Sequence, residues 1–152
     1  MSAPTVRELG RGETALAYAA LHVLRAEKPA LETRATFVAF VDDIMRAEGY
    51  RLAAAFIDGT PDAIAVCGFR ICHMLHSEKQ LYVDDLVTQP EFRRCGGAAA
   101  LFAFIRGVAE SNDCRTVHLD SGYNRSDAHR FYLNHGLRMT SHHFSTPREE
   151  LR

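Results

Sequence analysis

One stretch constrains this chain more than any other. From Leu81 to Val108 the residues read as an apolar strand, a basic turn poor in side chains, and a helix with nothing bulky at its mouth. The turn is Arg93-Arg94-Cys95-Gly96-Gly97. The helix, expected from about Gly97 to Ser111, carries Leu101, Phe104, Ile105 and Val108 on one stripe that must be buried. A strand feeding such a turn and a helix N-terminus makes a phosphate cradle, because the first free N–H groups and the positive end of the helix dipole converge there. Gly96 and Gly97 let an anion approach the backbone closely and permit φ > 0 without steric cost. The expected donors are the backbone N–H groups of Arg94, Cys95, Gly96, Gly97, Ala98 and Ala99, with the Arg93 and Arg94 side chains adding charge.

The strand of this unit carries two adjacent carboxylates, Asp84 and Asp85. Successive strand positions face opposite sides of a sheet, so one is expected to point to one layer of covering helices and the other away. A carboxylate inside an apolar strand needs a partner or a chemical task.

The remaining elements follow in order. Thr5 to Leu9 reads as a short strand ended by Gly10-Arg11-Gly12. Glu13 to Arg25 is an amphipathic helix, and Pro29 breaks the chain after it. A second helix is expected from about Glu32 to Ala47, with Phe37, Phe40, Val41, Ile44 and Met45 on one stripe and Gly49 as its stop. Arg51 to Ile57 and Ala63 to Leu75 are β-rich runs joined by a turn cluster, hence an antiparallel hairpin, and Gln80 to Val87 extends the meander. Thr116 to Leu119 is a fifth strand, reached by a crossover helix and therefore parallel to its neighbour. Ser126 is expected to cap a helix running to His135, with Gly136 at its C′ position. Leu137 to Phe144 alternates loosely and reads as a last strand, and Pro147 to Arg152 as a frayed tail. The order implies an α/β fold with a mixed sheet and helices on both faces.

At 152 residues the chain is expected to form a single domain, 1–152. A net charge of −1 implies no general attraction to nucleic acid or membrane, so any anion site must be local. No apolar run approaches the ~18 residues of a membrane helix, and the N-terminus has no apolar signal core. The 4 cysteines form no Cys-x-x-Cys pair and read as reduced cytoplasmic thiols. Neither the His73/His76 spacing nor His142-His143 comes with partners at a zinc spacing, so no metal is expected.

The central motif also carries a resemblance. Arg93-x-x-Gly96-x-Ala98 resembles the Gln/Arg-x-x-Gly-x-Gly/Ala signature of the general-amine N-acetyltransferase superfamily (GNAT), and Tyr82-Val83-Asp84-Asp85-Leu86 resembles that family's carboxylate-bearing central strand. Ala128-His129-Arg130-Phe131-Tyr132-Leu133-Asn134-His135-Gly136-Leu137 resembles its Ala-x-x-x-Tyr-x-x-x-Gly-Phe element. The loop before it looks like a bacterial subgroup labelled histone-acetyltransferase-like. The resemblance implies a GNAT fold, with a central, mostly antiparallel sheet of about 6–7 strands and a splayed parallel pair. It implies acetyl-CoA as co-substrate and a primary amine, of a small molecule or a protein, as acceptor. In this alignment Asp84 or Asp85 is the general base and Tyr132 the general acid. The coenzyme contacts fall on the backbone of Leu86, Val87 and Thr88, the turn from Arg93 to Ala99, and Asn124, Arg125 and Ala128. Val87 is the first choice for the N–H that polarises the thioester carbonyl. Arg125 stands where the family usually has Asn, with Asn124 one place off. The helices before the sheet wall the acceptor pocket in that family, which brings Tyr18, His22 and Arg25 into consideration beside their ordinary core or surface roles. Family members are often dimers, and the oligomeric state here is open.

Two other classes compete. A coenzyme A-binding module without turnover would use the same cradle. A nucleotide-binding domain would too, but the chain lacks both the P-loop ending and the strand-linked Gly-x-Gly-x-x-Gly turn.

Overall fold

A computed structural model describes residues 2–152. The chain divides into two compact units, Met1–His118 and Leu119–Arg152. The first unit begins with β1 (Thr5–Glu8), then a 3₁₀ turn (Thr14–Ala17) running into α1 (Tyr18–Arg25). α2 (Arg34–Ala39) follows, and the meander β2 (Arg51–Phe56), β3 (Ala65–Met74), β4 (Glu78–Thr88) comes next. α3 (Gly97–Ser111) then leads to β5 (Thr116–Leu119). The sheet order is β1-β2-β3-β4-β5, with β1 to β4 antiparallel in sequence. The Arg115 N–H bonds the Lys79 carbonyl at 2.8 Å, which sets the start of β5 beside the start of β4 and makes this pair parallel.

The sheet is buried on both faces, as the unbroken apolar run of β2 requires. On one face Leu21, Phe37, Val41, Tyr50, Leu52 and Val66 form the core under α1 and α2. On the other, α3 buries Leu101, Ile105 and Ala109. Gly97 is at this contact: a Cβ there would sit 3.0 Å from that of Ala65. Its lack of a side chain serves helix–sheet packing.

α2 does not continue as a plain α-helix. Phe40–Ile44 is a π-helical stretch, in which the Met45 N–H reaches the Phe40 carbonyl, and a 3₁₀ turn (Met45–Glu48) ends at Gly49, which has φ +86°. The extra residue per turn shifts the apolar stripe. Met45 packs against the core as expected, whereas Ile44, expected on the same stripe, turns out to 48% exposure. Asp42, inside this stretch, is buried and accepts hydrogen bonds from Thr14 Oγ1 at 2.6 Å and Arg46 Nε at 2.8 Å, while Arg46 Nη2 also reaches the Leu9 carbonyl at 2.9 Å. This network pins the helical cover to the end of β1.

The second unit contains α4 (Ser126–Asn134). Gly136 follows it with φ +87°, the expected C′ geometry. Ser126 is the first helical residue and caps nothing; Arg125 holds the N-cap position, with no side-chain cap. The predicted strand from Leu137 to Phe144 does not form, so the described residues hold five strands instead of the 6–7 expected. The reason is burial: Met139 is 82% and Phe144 90% exposed, so no layer covers an apolar face there. Among the described residues, no helix is long and apolar enough to cross a membrane.

Candidate active site

The two carboxylates of β4 depart from strand alternation. Gly68 pairs with Asp85 and Phe69 with Val83, so Asp84 is an extra residue in β4, a β-bulge. The bulge resets the phase of the strand. Asp84 and Asp85 therefore do not face opposite sides; both line one cavity of about 450 Å³, together with Tyr82, Arg25 and Tyr50. Its remaining walls are the apolar side chains of α1 and of the α2 region, among them Leu21, Phe37, Phe40 and Met45.

Each carboxylate has a guanidinium. Arg25 Nε lies 2.6 Å from Asp85 Oδ1, and the Tyr50 hydroxyl donates to Asp85 Oδ2 at 3.2 Å. Arg70 grips Asp84 through Nε, at 3.1 and 3.0 Å from its two oxygens, and through Nη2 at 2.6 Å. Tyr50 fits because residue 68 is glycine: a Cβ there would lie 1.9 Å from the phenol oxygen. Burial, then the charges of Asp85 and Asp84, hold the Tyr50 phenol well above its usual value of 10.0, so it remains a donor. Burial also pushes the Asp84 carboxyl above its usual 3.8; Arg70 pulls it back, and the Asp85 charge adds to the push.

Register decides which backbone groups of β4 are open. The Leu9 N–H bonds the Leu52 carbonyl at 2.7 Å, so Leu52 and Ala54 face β1, while Ala53 and Ala55 face β3. Cys67 and Ala65 answer Ala53 and Ala55, which turns Val66 and Gly68 to Val87 and Asp85 of β4. Val87 thus belongs to the β3 ladder, and Leu86 and Thr88 point their N–H groups to the opposite edge. β5 starts beside Lys79 and has 4 residues, so it covers only the first half of that edge.

The turn after β4 is built by two left-handed residues, Arg94 at φ +66° and Gly96 at φ +81°. Arg93 and Arg94 are exposed, and neither has an ion pair among the described residues. The N–H of Cys95 is used by the Phe92 carbonyl at 3.3 Å, which removes it from the expected donors. The first bond inside α3 runs from Ala100 N–H to the Gly96 carbonyl at 2.9 Å, which leaves Gly97, Ala98 and Ala99 as the first-turn donors.

In the second unit Arg125 and Asn124 are exposed, and Ala128 and Tyr132 half-buried. The Arg125 N–H bonds the Gly122 carbonyl at 3.0 Å, and the His129 ring reaches the same carbonyl at 2.9 Å, tying the loop to α4. Tyr132 meets the Phe131 ring edge-on at 5.8 Å.

Arg70 and Tyr50 escaped the sequence reading. Arg70 stands in an apolar strand where nothing local marks it, and Tyr50 follows a helix stop like any core aromatic. Of Tyr18, His22 and Arg25, only Arg25 lines the cavity; the Tyr18 hydroxyl donates to the Leu31 carbonyl at 3.1 Å and its ring packs on His22.

The sequence profile of the acetyltransferase (GNAT) family matches residues 9–137. The chain belongs to that family. An uncharacterized N-acetyltransferase of Bacillus subtilis, YhdJ, is 29% identical over 113 residues, 74% of this chain and 78% of YhdJ. Among solved structures, the aminoglycoside N-acetyltransferase AAC(6')-Iy in complex with CoA superposes with TM-score 0.80 at 18% identity, covering 95% of each chain. A Trypanosoma brucei acetyltransferase gives TM-score 0.76 at 19% identity over 95% of this chain and 99% of its own. These structural likenesses concern the fold. In this GNAT N-acetyltransferase, the motif strand, the bulge and the turn before α3 all lie inside the matched region.

Proposed function

We propose that this protein transfers an acetyl group from acetyl-CoA to a primary amine by direct attack. The observation that carries this reading is the layout of β4. Two carboxylates open onto a cavity, the next residues offer free backbone on one edge, and the strand then delivers a side-chain-poor helix mouth. That mouth fits a pyrophosphate: Gly97, Ala98 and Ala99 supply N–H donors and a positive dipole end, and Arg93 and Arg94 supply charge.

Leu86 and Thr88 hold the amides of the pantetheine arm by strand-like pairing. The register supports Leu86, and not Val87, as the N–H that stabilises charge on the thioester oxygen. An amine with a pKa near ~10.4 arrives protonated and must lose a proton before it attacks. Asp84, the carboxylate shifted upward, takes that proton through a water; Asp85, held by Arg25 and Tyr50, anchors the bulge. As the new C–N bond forms and the C–S bond breaks, the nitrogen sheds its second proton to water, and Tyr132, assigned to this step on the family motif alone, protonates the departing sulfur. A phenol near ~10 is a competent donor to a thiolate near ~8.5. Asn124, Arg125 and Ala128 are assigned to the coenzyme on the family motif alone.

One observation favours a coenzyme A-binding module without turnover: both carboxylates already have guanidinium partners. Thiol release from acetyl-CoA across a panel of primary amines separates the two readings. Amine-dependent release is expected. Bound acetyl-CoA with no release for any amine would leave the binding module.

A further inference from the structure

We infer that the acceptor of this acetyltransferase is a monoamine carried on an apolar body, an alkylamine or arylalkylamine, and that the cavity over Asp84 and Asp85 disfavours polycations. The inference deepens the transferase reading and rests on it for the identity of the cavity. Strand geometry links the two: Asp85 directly precedes Leu86, and residues in a strand rise ~3.3 Å each, so an acetyl group held at Leu86 lies at the mouth of this cavity.

Charge balance is the first support. Four charged side chains line the cavity: Arg25, Lys28, Asp84 and Asp85. The two anions are matched, Asp85 by Arg25 and Asp84 by Arg70, which reaches it from outside the lining. Lys28, whose only ion pair among the described residues is a 3.5 Å contact to its neighbour Glu27, adds positive charge at the rim. A guest with several ammonium groups would need an unmatched anion for each group it brings out of water, and this cavity has none to offer. A monoamine that enters to react passes its proton to Asp84 and adds one positive charge to the site, where a polycation adds several.

The walls are the second support. Leu21, Leu31, Phe37, Phe40, Val41 and Met45 present hydrocarbon, while Ile44, inside the π-helical stretch, stays outside the wall. At about 450 Å³ the space is that of a small-molecule pocket. An apolar body gains from each methylene it buries there, whereas a polyhydroxylated body would lose hydrogen bonds to water along these six side chains, the polar lining being confined to Arg25, Lys28, Tyr50, Tyr82, Asp84 and Asp85.

The test is calorimetric titration of the purified protein, with and without coenzyme A, using butylamine, hexylamine, octylamine, phenethylamine, spermidine and kanamycin. Affinity is expected to rise about fourfold per added methylene from butylamine to octylamine. Spermidine and kanamycin are expected at least ~10-fold weaker than octylamine. Phe40→Asp plants an unmatched carboxylate in the wall at a position already 41% exposed, so the fold should tolerate it. It is expected to weaken octylamine and strengthen spermidine, while Ile44→Asp, outside the cavity, changes neither. Tighter binding of kanamycin or spermidine than of every monoamine, or affinity independent of chain length with and without coenzyme A, overturns the inference. Failure of acetyl-CoA to bind overturns the transferase reading alone, since the amine titration without coenzyme still decides the chemistry of the cavity.

Discussion

Asp84 shows how a single residue's environment sets both chemistry and stability. Its carboxyl sits above the usual 3.8 because burial outweighs the pull of Arg70. As a base it works only when ionised, so kcat/KM should climb with pH through that raised value. Asp84→Asn should abolish this acid limb and cut kcat by ~10²-fold or more; a pH–rate profile with the limb intact would remove Asp84 from the role. The stability sign runs the other way. A raised carboxyl binds more protons in the folded state, so its favourable contribution is present below 3.8 and lost as pH rises through the folded value. Tyr132→Phe keeps the ring and deletes the proton. It should lower kcat by ~10²-fold with acetyl-CoA affinity unchanged, measured by single-turnover kinetics and titration; an unchanged kcat would reassign the acid.

At the scale of elements, the site depends on one irregularity in each of two neighbours. The bulge in β4 turns both carboxylates to one face, and the glycine opposite it in β3 leaves room for the Tyr50 phenol. Gly68→Ala should cost ~1–3 kcal/mol of stability by overpacking, because Tyr50 is buried with little room to yield. It should also lower kcat/KM through the displaced Asp85 contact; a urea midpoint equal to wild type would show that Tyr50 moves freely. The mouth of α3 allows a cleaner test. Ala99 is exposed in the first turn, where an acidic side chain favours the helix by ~0.3–1 kcal/mol. Ala99→Glu should therefore hold or raise Tm while weakening acetyl-CoA by ~10-fold or more, read by titration; undiminished affinity would move the pyrophosphate elsewhere. These features also show why the sequence was only half legible. Element type followed from periodicity, and α3, β5 and the meander lie where the pattern put them. The single-residue insertions, the bulge at Asp84 and the π-stretch at Phe40–Ile44, leave no mark on periodicity, yet they decide which side chains share a face.

At the scale of the molecule, ligand and fold are linked by mass action. Acetyl-CoA at ~100 times its Kd should add ~2.7 kcal/mol to stability, a rise of ~5–11 °C in Tm for a chain of this size. A melting curve indifferent to saturating acetyl-CoA would contradict the proposed cradle. By itself the sequence determined what repeats along the chain or is confined to one turn: the α/β order, the strand–turn–helix unit, the small residues at the helix mouth and the family they mark. Only the tertiary structure decided that Asp84 and Asp85 share a cavity, that Arg25, Arg70 and Tyr50 hold them, and that Leu137–Phe144 stays out of the sheet. Those outcomes depend on pairing register and on which surfaces find a covering layer. Both are set between segments far apart in the chain, where no local pattern records them.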